Sequence, residues 1–177
     1  MGYGTTEGGM RMPCIARRSG KIPAGTVCDE LCTMMDILPS VAAITGAPRP
    51  TKAVDGHDIR PLLLGQEGAA SRYDETGFFY YHMKQLQAVR AGPWKLYLPL
   101  ESKAGPGKKA SAQTLALYDV RNDLAEAREA SAEKPEIVKK LLALAENARG
   151  TLGDNDAEGT GQRAPGWVEQ PSPRVKR

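Results

Sequence analysis

Residues able to do chemistry fall in a few short stretches of this chain. In the first, Glu7 precedes the adjacent glycines Gly8 and Gly9, and Arg11 follows two positions later. Adjacent glycines give one turn maximal backbone freedom, which is tolerated where a positive φ or a close approach is needed. Across such a turn a carboxylate and a guanidinium can meet as a charge-assisted pair. Pro13 excludes an ordinary central strand at its own position and biases Met12 towards extended geometry. These residue types read as a structural turn leading into a strand rather than as a catalytic loop.

Asp55, His57 and Asp58 form the second stretch. Carboxylate and imidazole are both metal-ligand types. Aspartates flanking Gly56, however, fit better as groups that cap a short helix and close a turn, so no metal is expected there. His82 follows an aromatic run at a hairpin end, where an imidazole could line a substrate mouth or simply be solvated. The three cysteines, Cys14, Cys28 and Cys32, are too few for a disulfide scaffold and lack zinc-type spacing. Cys14 is expected to be a small buried thiol.

The elements that must position these groups follow from periodicity. Residues 12–17 read as a short, largely buried strand, followed by turn chemistry over 18–25. Thr33 is a plausible helix N-cap, with apolar residues at Met34, Ile37, Leu38, Val41, Ala42 and Ile44 and Gly46 as the stop. Pro39 should restart or bend that helix. Residues 66–75 are a polar connector and the expected boundary between a first unit (1–68) and a second (69–149). In the second, residues 77–82, 85–90, 94–98 and 115–118 read as strands joined by tight turns, an antiparallel meander. Pro135 opens a helix whose apolar stripe, from Ile137 to Ala145, should pack on the sheet. Residues 150–177 read as an irregular, exposed tail, with Trp167 able to dock on the sheet.

A net charge of +3 across 177 residues, with Lys and Arg interleaved among Asp and Glu, argues against a nucleic-acid partner. No apolar run approaches the ~20 residues of a membrane helix, so no membrane partner is expected.

Residues 5–13 (Thr-Thr-Glu-Gly-Gly-Met-Arg-Met-Pro) and 20–25 (Gly-Lys-Ile-Pro-Ala-Gly) resemble the type I, formylglycine-dependent sulfatases. The family pattern there is K-G-T-T-x-E-G-G-x-R-V-P followed by R-W-P-G-x-I-x-x-G. Further resemblances are Asp36-Ile37-Leu38-Pro39-Ser40 to D-L-L-P-T, and residues 55–65 to D-G-x-D-L-x-P-x-L-x-G. Residues 86–96 are similar to L-x-A-V-R-x-G-x-W-K-L, and 117–126 to L-Y-D-L-x-x-D-x-x-E.

The resemblance implies the C-terminal portion of such an enzyme. Its fold would be the end of an α/β, alkaline-phosphatase-like catalytic domain followed by a small α+β part, a four-stranded antiparallel sheet packed with a C-terminal helix. It implies a parent that hydrolyses aryl or carbohydrate sulfate esters, is periplasmic or secreted, and uses formylglycine and a calcium-type divalent ion. It further implies an N-terminal catalytic half as partner and a sulfated small molecule or glycan as substrate.

Glu7, Gly8, Gly9, Arg11 and Pro13 then carry the motif structurally. Tyr3 stands where the family has its sulfate-contacting lysine, and a neutral phenol cannot replace an ammonium there. One residue is missing between Thr6 and Glu7. Residues 14–18 formally spell C-x-A-x-R, the formylglycine precursor, but in the register of the E-G-G motif Cys14 falls on the strand beyond it. With no catalytic residue and no cofactor of its own expected, the chain is expected to be inactive alone. The alternatives are a non-catalytic module covering a partner chain's active site, or a small independent binding domain.

Overall fold

An antiparallel sheet organises the computed structural model, which describes residues 5–48, 51–101, 112–164, 166 and 168–170. Tyr3, Trp167 and most of the expected loop between 101 and 113 lie outside the described residues. Strands β1 (Phe78–His82) and β2 (Gln85–Ala91) form a hairpin whose turn places Met83 at φ 56°. Gly92, at φ 58°, and Pro93 turn β2 into β3 (Trp94–Tyr97). A two-residue pair, β4 (Leu100–Glu101) with β5 (Ala112–Gln113), precedes β6 (Ala116–Asp119). The main sheet runs β1-β2-β3-β6, every neighbour antiparallel. Each expected strand of the meander is present.

A bulge decides which side chains face which way. Tyr80 lies opposite Ala88 and Tyr81 opposite Leu86, leaving Gln87 as an extra residue in β2. An extra residue inverts the alternation beyond it. Leu86, Val89, Ala91, Leu96 and Leu117 therefore share one apolar face. Tyr80, Ala88 and Tyr97 pack together in a separate cluster. By strand alternation, Arg90 and Lys95 fall on this second side.

The apolar face is covered by α5 (Pro135–Leu152), which opens at Pro135 as expected and buries Leu141, Ala145 and Ala148 against the sheet. The expected tail begins in order. A hairpin of β7 (Gly153–Asp154) and β8 (Ala157–Glu158) follows the helix directly. Tyr81 donates its hydroxyl to the Gly153 carbonyl at 2.7 Å, and Asp154 accepts from the Leu86 N–H at 3.0 Å.

The first part of the chain is less regular than its sequence suggests. After α1 (Glu7–Met10), residues 12–17 form no strand and are exposed, Ile15 almost completely. Cys14 is exposed rather than buried, as are Cys28 and Cys32. An isolated extended segment leaves its backbone and apolar side chains to solvent unless a neighbouring strand pairs with it, and none of the described residues does so.

Thr33 does cap, through a capping box with Asp36, and a 3₁₀ turn (Met34–Asp36) leads into α2 (Ile37–Thr45). Pro39 sits in the first turn of α2, where its missing N–H costs nothing. Gly46, at φ 71°, ends the helix. Two short helices follow, α3 (Arg60–Leu63) and α4 (Tyr73–Thr76). The polar connector is anchored: Ser71 donates to the Leu31 carbonyl at 2.6 Å, and its N–H donates to Glu30 at 3.0 Å.

Candidate functional site

The Glu7 turn is seated on the side of the sheet that carries Arg90 and Lys95. Lys95 is fully buried, yet its ammonium lies 2.9 Å from Glu7 Oε1 and 3.1 Å from Glu126 Oε1. It also donates to the Thr5 carbonyl. Arg90 Nη1 lies 3.4 Å from Glu7 Oε2, and the Glu7 N–H donates to Glu126 Oε2 at 3.3 Å. Tyr97 donates its hydroxyl to Glu126 Oε1 at 2.7 Å. The Lys95 ammonium further stands 4.5 Å from the Tyr80 ring centroid and 5.1 Å from that of Tyr97.

Two cations and two carboxylates leave this interior without net charge. Such burial is tolerated only where every charge is matched and hydrogen-bonded. Among the described residues no buried side-chain nitrogen or oxygen lacks a partner. Glu126 contributes at a backbone cost, being held at φ 53°, a region unfavourable for a side chain with a Cβ. The phenols feel the cluster. Burial and then the Glu7 charge push the Tyr80 hydroxyl up to about 12. Burial, then the bond to Glu126, raises that of Tyr97 further.

A second buried hub joins the connecting segments. Asp36 is fully buried and accepts from the N–H groups of Thr33 at 2.6 Å and His57 at 2.7 Å, and from the Tyr73 hydroxyl at 2.9 Å. Ser40 donates to the Asp36 carbonyl at 2.6 Å and accepts from the Ile59 N–H at 2.9 Å. Gly56 is needed for this approach, because a Cβ there would fall 1.8 Å from the Met35 carbonyl oxygen. Rings continue from the hub to the sheet, His57 to Tyr73 to Phe78 to Tyr80, at centroid distances of 4.9, 5.5 and 4.9 Å.

One sequence expectation is corrected here, and the remaining candidate residues find their places. Glu7 and Arg11 do not pair across the glycine turn: Glu7 goes to Lys95 and Arg90, and Arg11 goes to Asp29 at 3.2 Å. The i,i+4 spacing about this helical turn would allow the pair, but Glu7 is drawn into the buried cations of the sheet and Arg11, which leaves the helix in an extended conformation, turns to the exposed Asp29. Asp58 pairs with Arg60 at 2.7 Å and Asp55 with Arg163 at 2.5 Å, while the His57 ring stacks edge-on against Tyr73. Met12 and Pro13 are exposed beyond α1, and His82 is exposed at the end of β1.

Sequence reasoning overlooked Lys95, Arg90 and Glu126 as a set. The available signal was period two: Arg90 and Lys95 sit on the same face as Ala88 and Tyr97, with apolar residues on the other.

The donor set does not suit a calcium-type ion, which takes six to eight convergent oxygens. The oxygens of Glu7 and Asp36 are already taken by ammonium, guanidinium, N–H and hydroxyl donors. Among the described residues no group of three His, Cys, Asp or Glu converges on one point.

No family model matches the chain. It is 38% identical over 138 residues to arylsulfatase A of Homo sapiens, covering 69% of this chain and 26% of that protein. It is 42% identical over 98 residues to the steryl-sulfatase of Homo sapiens, covering 51% of this chain and 16% of that one. Against N-acetylgalactosamine-6-sulfatase of Canis lupus familiaris the identity is 37% over 94 residues, covering 52% and 17%. A solved structure from work on glycosaminoglycan metabolism by Bacteroides thetaiotaomicron aligns at TM-score 0.48 and 26% identity, over 64% of this chain and 24% of that one.

The chain is thus homologous, over part of its length, to proteins of the sulfatase family. It spans about a quarter or less of the curated relatives it matches.

Proposed function

We propose that this chain is the C-terminal portion of a formylglycine-dependent sulfatase and does not hydrolyse sulfate esters by itself. In the whole enzyme an upstream segment supplies the nucleophile and the calcium-type ion, and an aryl or carbohydrate sulfate is the substrate. The present piece supplies the Glu7 turn, seated by the sheet. One observation supports this reading above the others. The two stretches most like the family, around Glu7 and around Lys95, meet in one buried ion network rather than lying apart. The whole enzyme would be periplasmic or secreted.

A second reading rests on a different feature, the exposed face of α2. Met34, Ile37, Leu38 and Val41 stand exposed along α2 and the turn before it, and Met12 and Ile15 stand exposed in the extended segment after α1. A contiguous apolar stripe of this kind fits a face that another polypeptide covers. That polypeptide is either the upstream part of the same chain or a separate catalytic chain. It argues against a free-standing binding domain.

The deciding experiment compares three preparations on a fluorogenic aryl sulfate. These are this chain alone, this chain fused to the polypeptide encoded upstream, and the two pieces co-expressed. Turnover only in the last two is the expected result. Turnover by the chain alone overturns the proposal. An upstream sequence lacking a C-x-P-S-R or C-x-A-x-R segment would leave the covering-module reading.

A further inference from the structure

The turn at 18–25 closes against the helical connector and leaves a cleft of about 270 Å³. The Arg18 carbonyl accepts from both Lys21 N–H at 3.1 Å and Ile22 N–H at 2.9 Å, which fixes the turn. Gly20 and Gly25 take φ values of 70° and 73° to complete it. The turn lies against the segment just after α3, where a Cβ on Gly65 would make an ordinary van der Waals contact with Pro23 Cγ at 3.5 Å.

The cleft has an apolar floor and a cationic rim. Ile22, Ile44, Leu63 and Leu64 supply aliphatic surface, and Arg18 and Lys21, both exposed, line the cleft from the same turn. Arg60 forms one wall but carries no spare charge. Its guanidinium is bonded to Asp58 at 2.7 to 3.1 Å, and its Nη1 donates to the Ala43 carbonyl at 3.0 Å. That pairing holds the wall rigid and cancels its charge. Arg18 and Lys21 differ: among the described residues neither side chain has an ion-pair partner or a side-chain hydrogen bond. Two uncompensated cations therefore flank one apolar cleft, which shares no residue with the Glu7 network.

We infer that this cleft binds a short amphiphilic monoanion, with its carboxylate or sulfate head between Arg18 and Lys21 and its hydrocarbon chain on the leucine and isoleucine floor. A guanidinium and an ammonium together match an oxyanion head, the planar fork giving direction and the ammonium a point charge. The volume is a little under the ~300 Å³ at which pockets begin to hold a drug-sized guest, so the chain must be short. Cations lying over apolar surface can also simply reach past it to water. What sets this cleft apart is that both line the same half-open apolar cleft from a turn fixed by its own hydrogen bonds.

The test titrates the whole 177-residue chain, 13C-labelled at isoleucine and leucine methyls, with octanoate, octyl sulfate and octanol. Saturable shifts of Ile22, Ile44, Leu63 and Leu64 by octanoate or octyl sulfate are expected, with octanol at least tenfold weaker. The tighter of the two heads identifies the source. R18Q/K21Q should weaken the anion at least tenfold while leaving the sheet resonances in place, and R18K/K21R should retain it. Equal binding of octanol overturns the inference. So does unchanged anion binding by R18Q/K21Q, or anion shifts confined to Ile37 and Leu38 on α2.

Discussion

Lys95 Nζ lies 2.9 Å from Glu7 Oε1, although 88 residues of chain separate them. Neither group could be buried without the other, so the first turn and the third strand are fixed as one unit. Glu126 and Arg90 complete the charge balance, and the bulge at Gln87 puts Arg90 on the side of the sheet that can reach it.

Lys95→Met should therefore be severe. It leaves Glu7, Glu126 and the Thr5 carbonyl buried against a side chain that cannot donate. Breaking a buried pair from one side typically costs about 3–5 kcal/mol. Urea unfolding followed by Tyr and Trp fluorescence should show that loss as a lowered midpoint. Adding Glu7→Gln should recover part of it, because the two residues are directly coupled. A loss below about 1 kcal/mol would mean that water reaches this cluster.

Alkaline titration reads both buried hubs through their phenols. Tyr73 and Tyr80 are pushed from 10.0 to about 12, chiefly by burial, and Tyr97 is raised beyond them by burial and by its bond to Glu126. For a group whose folded pKa is raised, the linked stability is complete below the unfolded pKa and is lost as pH climbs towards the folded value. Stability should hold up to pH 10 and fall between pH 10 and about 12. Absorbance at the phenolate band should lag behind free tyrosine until the chain unfolds. A three-tyrosine titration centred near pH 10 with the far-ultraviolet spectrum intact would contradict the burial of these rings.

Gly56→Ala tests the second hub by space alone. The added methyl would fall 1.8 Å from the Met35 carbonyl, so the segment carrying His57 must move away from Asp36. Overpacking of this kind typically costs about 1–3 kcal/mol. Loss of exchange protection at the His57 and Ile59 amides, with the sheet amides still protected, would locate the damage. Unchanged protection at both would show that the loop can shift without releasing Asp36.

The sheet and both longer helices were legible because each rests on local signals: an aromatic run in β1 and alternation with tight turns in β2 and β3, a cap and a glycine stop around α2, a proline start for α5. The network was not legible, since Glu7 reads locally as a partner for Arg11 and nothing near it in sequence announces Lys95. Only the alternation of Arg90 and Lys95 with Ala88 and Tyr97 hinted that charge lies on a packed face. The error over residues 12–17 has a different origin. An apolar extended segment is a strand only when another strand pairs with it, and such a partner is not written in the segment itself.

Self-association follows from the same exposed surface. Leu38 is 52% and Val41 49% exposed on α2, and Met34 beside them is 76% exposed. Their burial would contribute little to this chain but much to a complex, since apolar area removed from water is worth about 25 cal/mol per Å². Leu38→Glu with Val41→Lys places an acid in the first turn of α2, in line with the helix dipole, and a base at the middle of the helix. Stability should change by no more than about 0.5 kcal/mol, as for ordinary surface sites. Sedimentation velocity should show the unmodified chain associating with rising concentration and the double variant remaining a monomer. Equal association by both would place the sticky surface elsewhere, with the extended segment around Met12 and Ile15 as the next to alter.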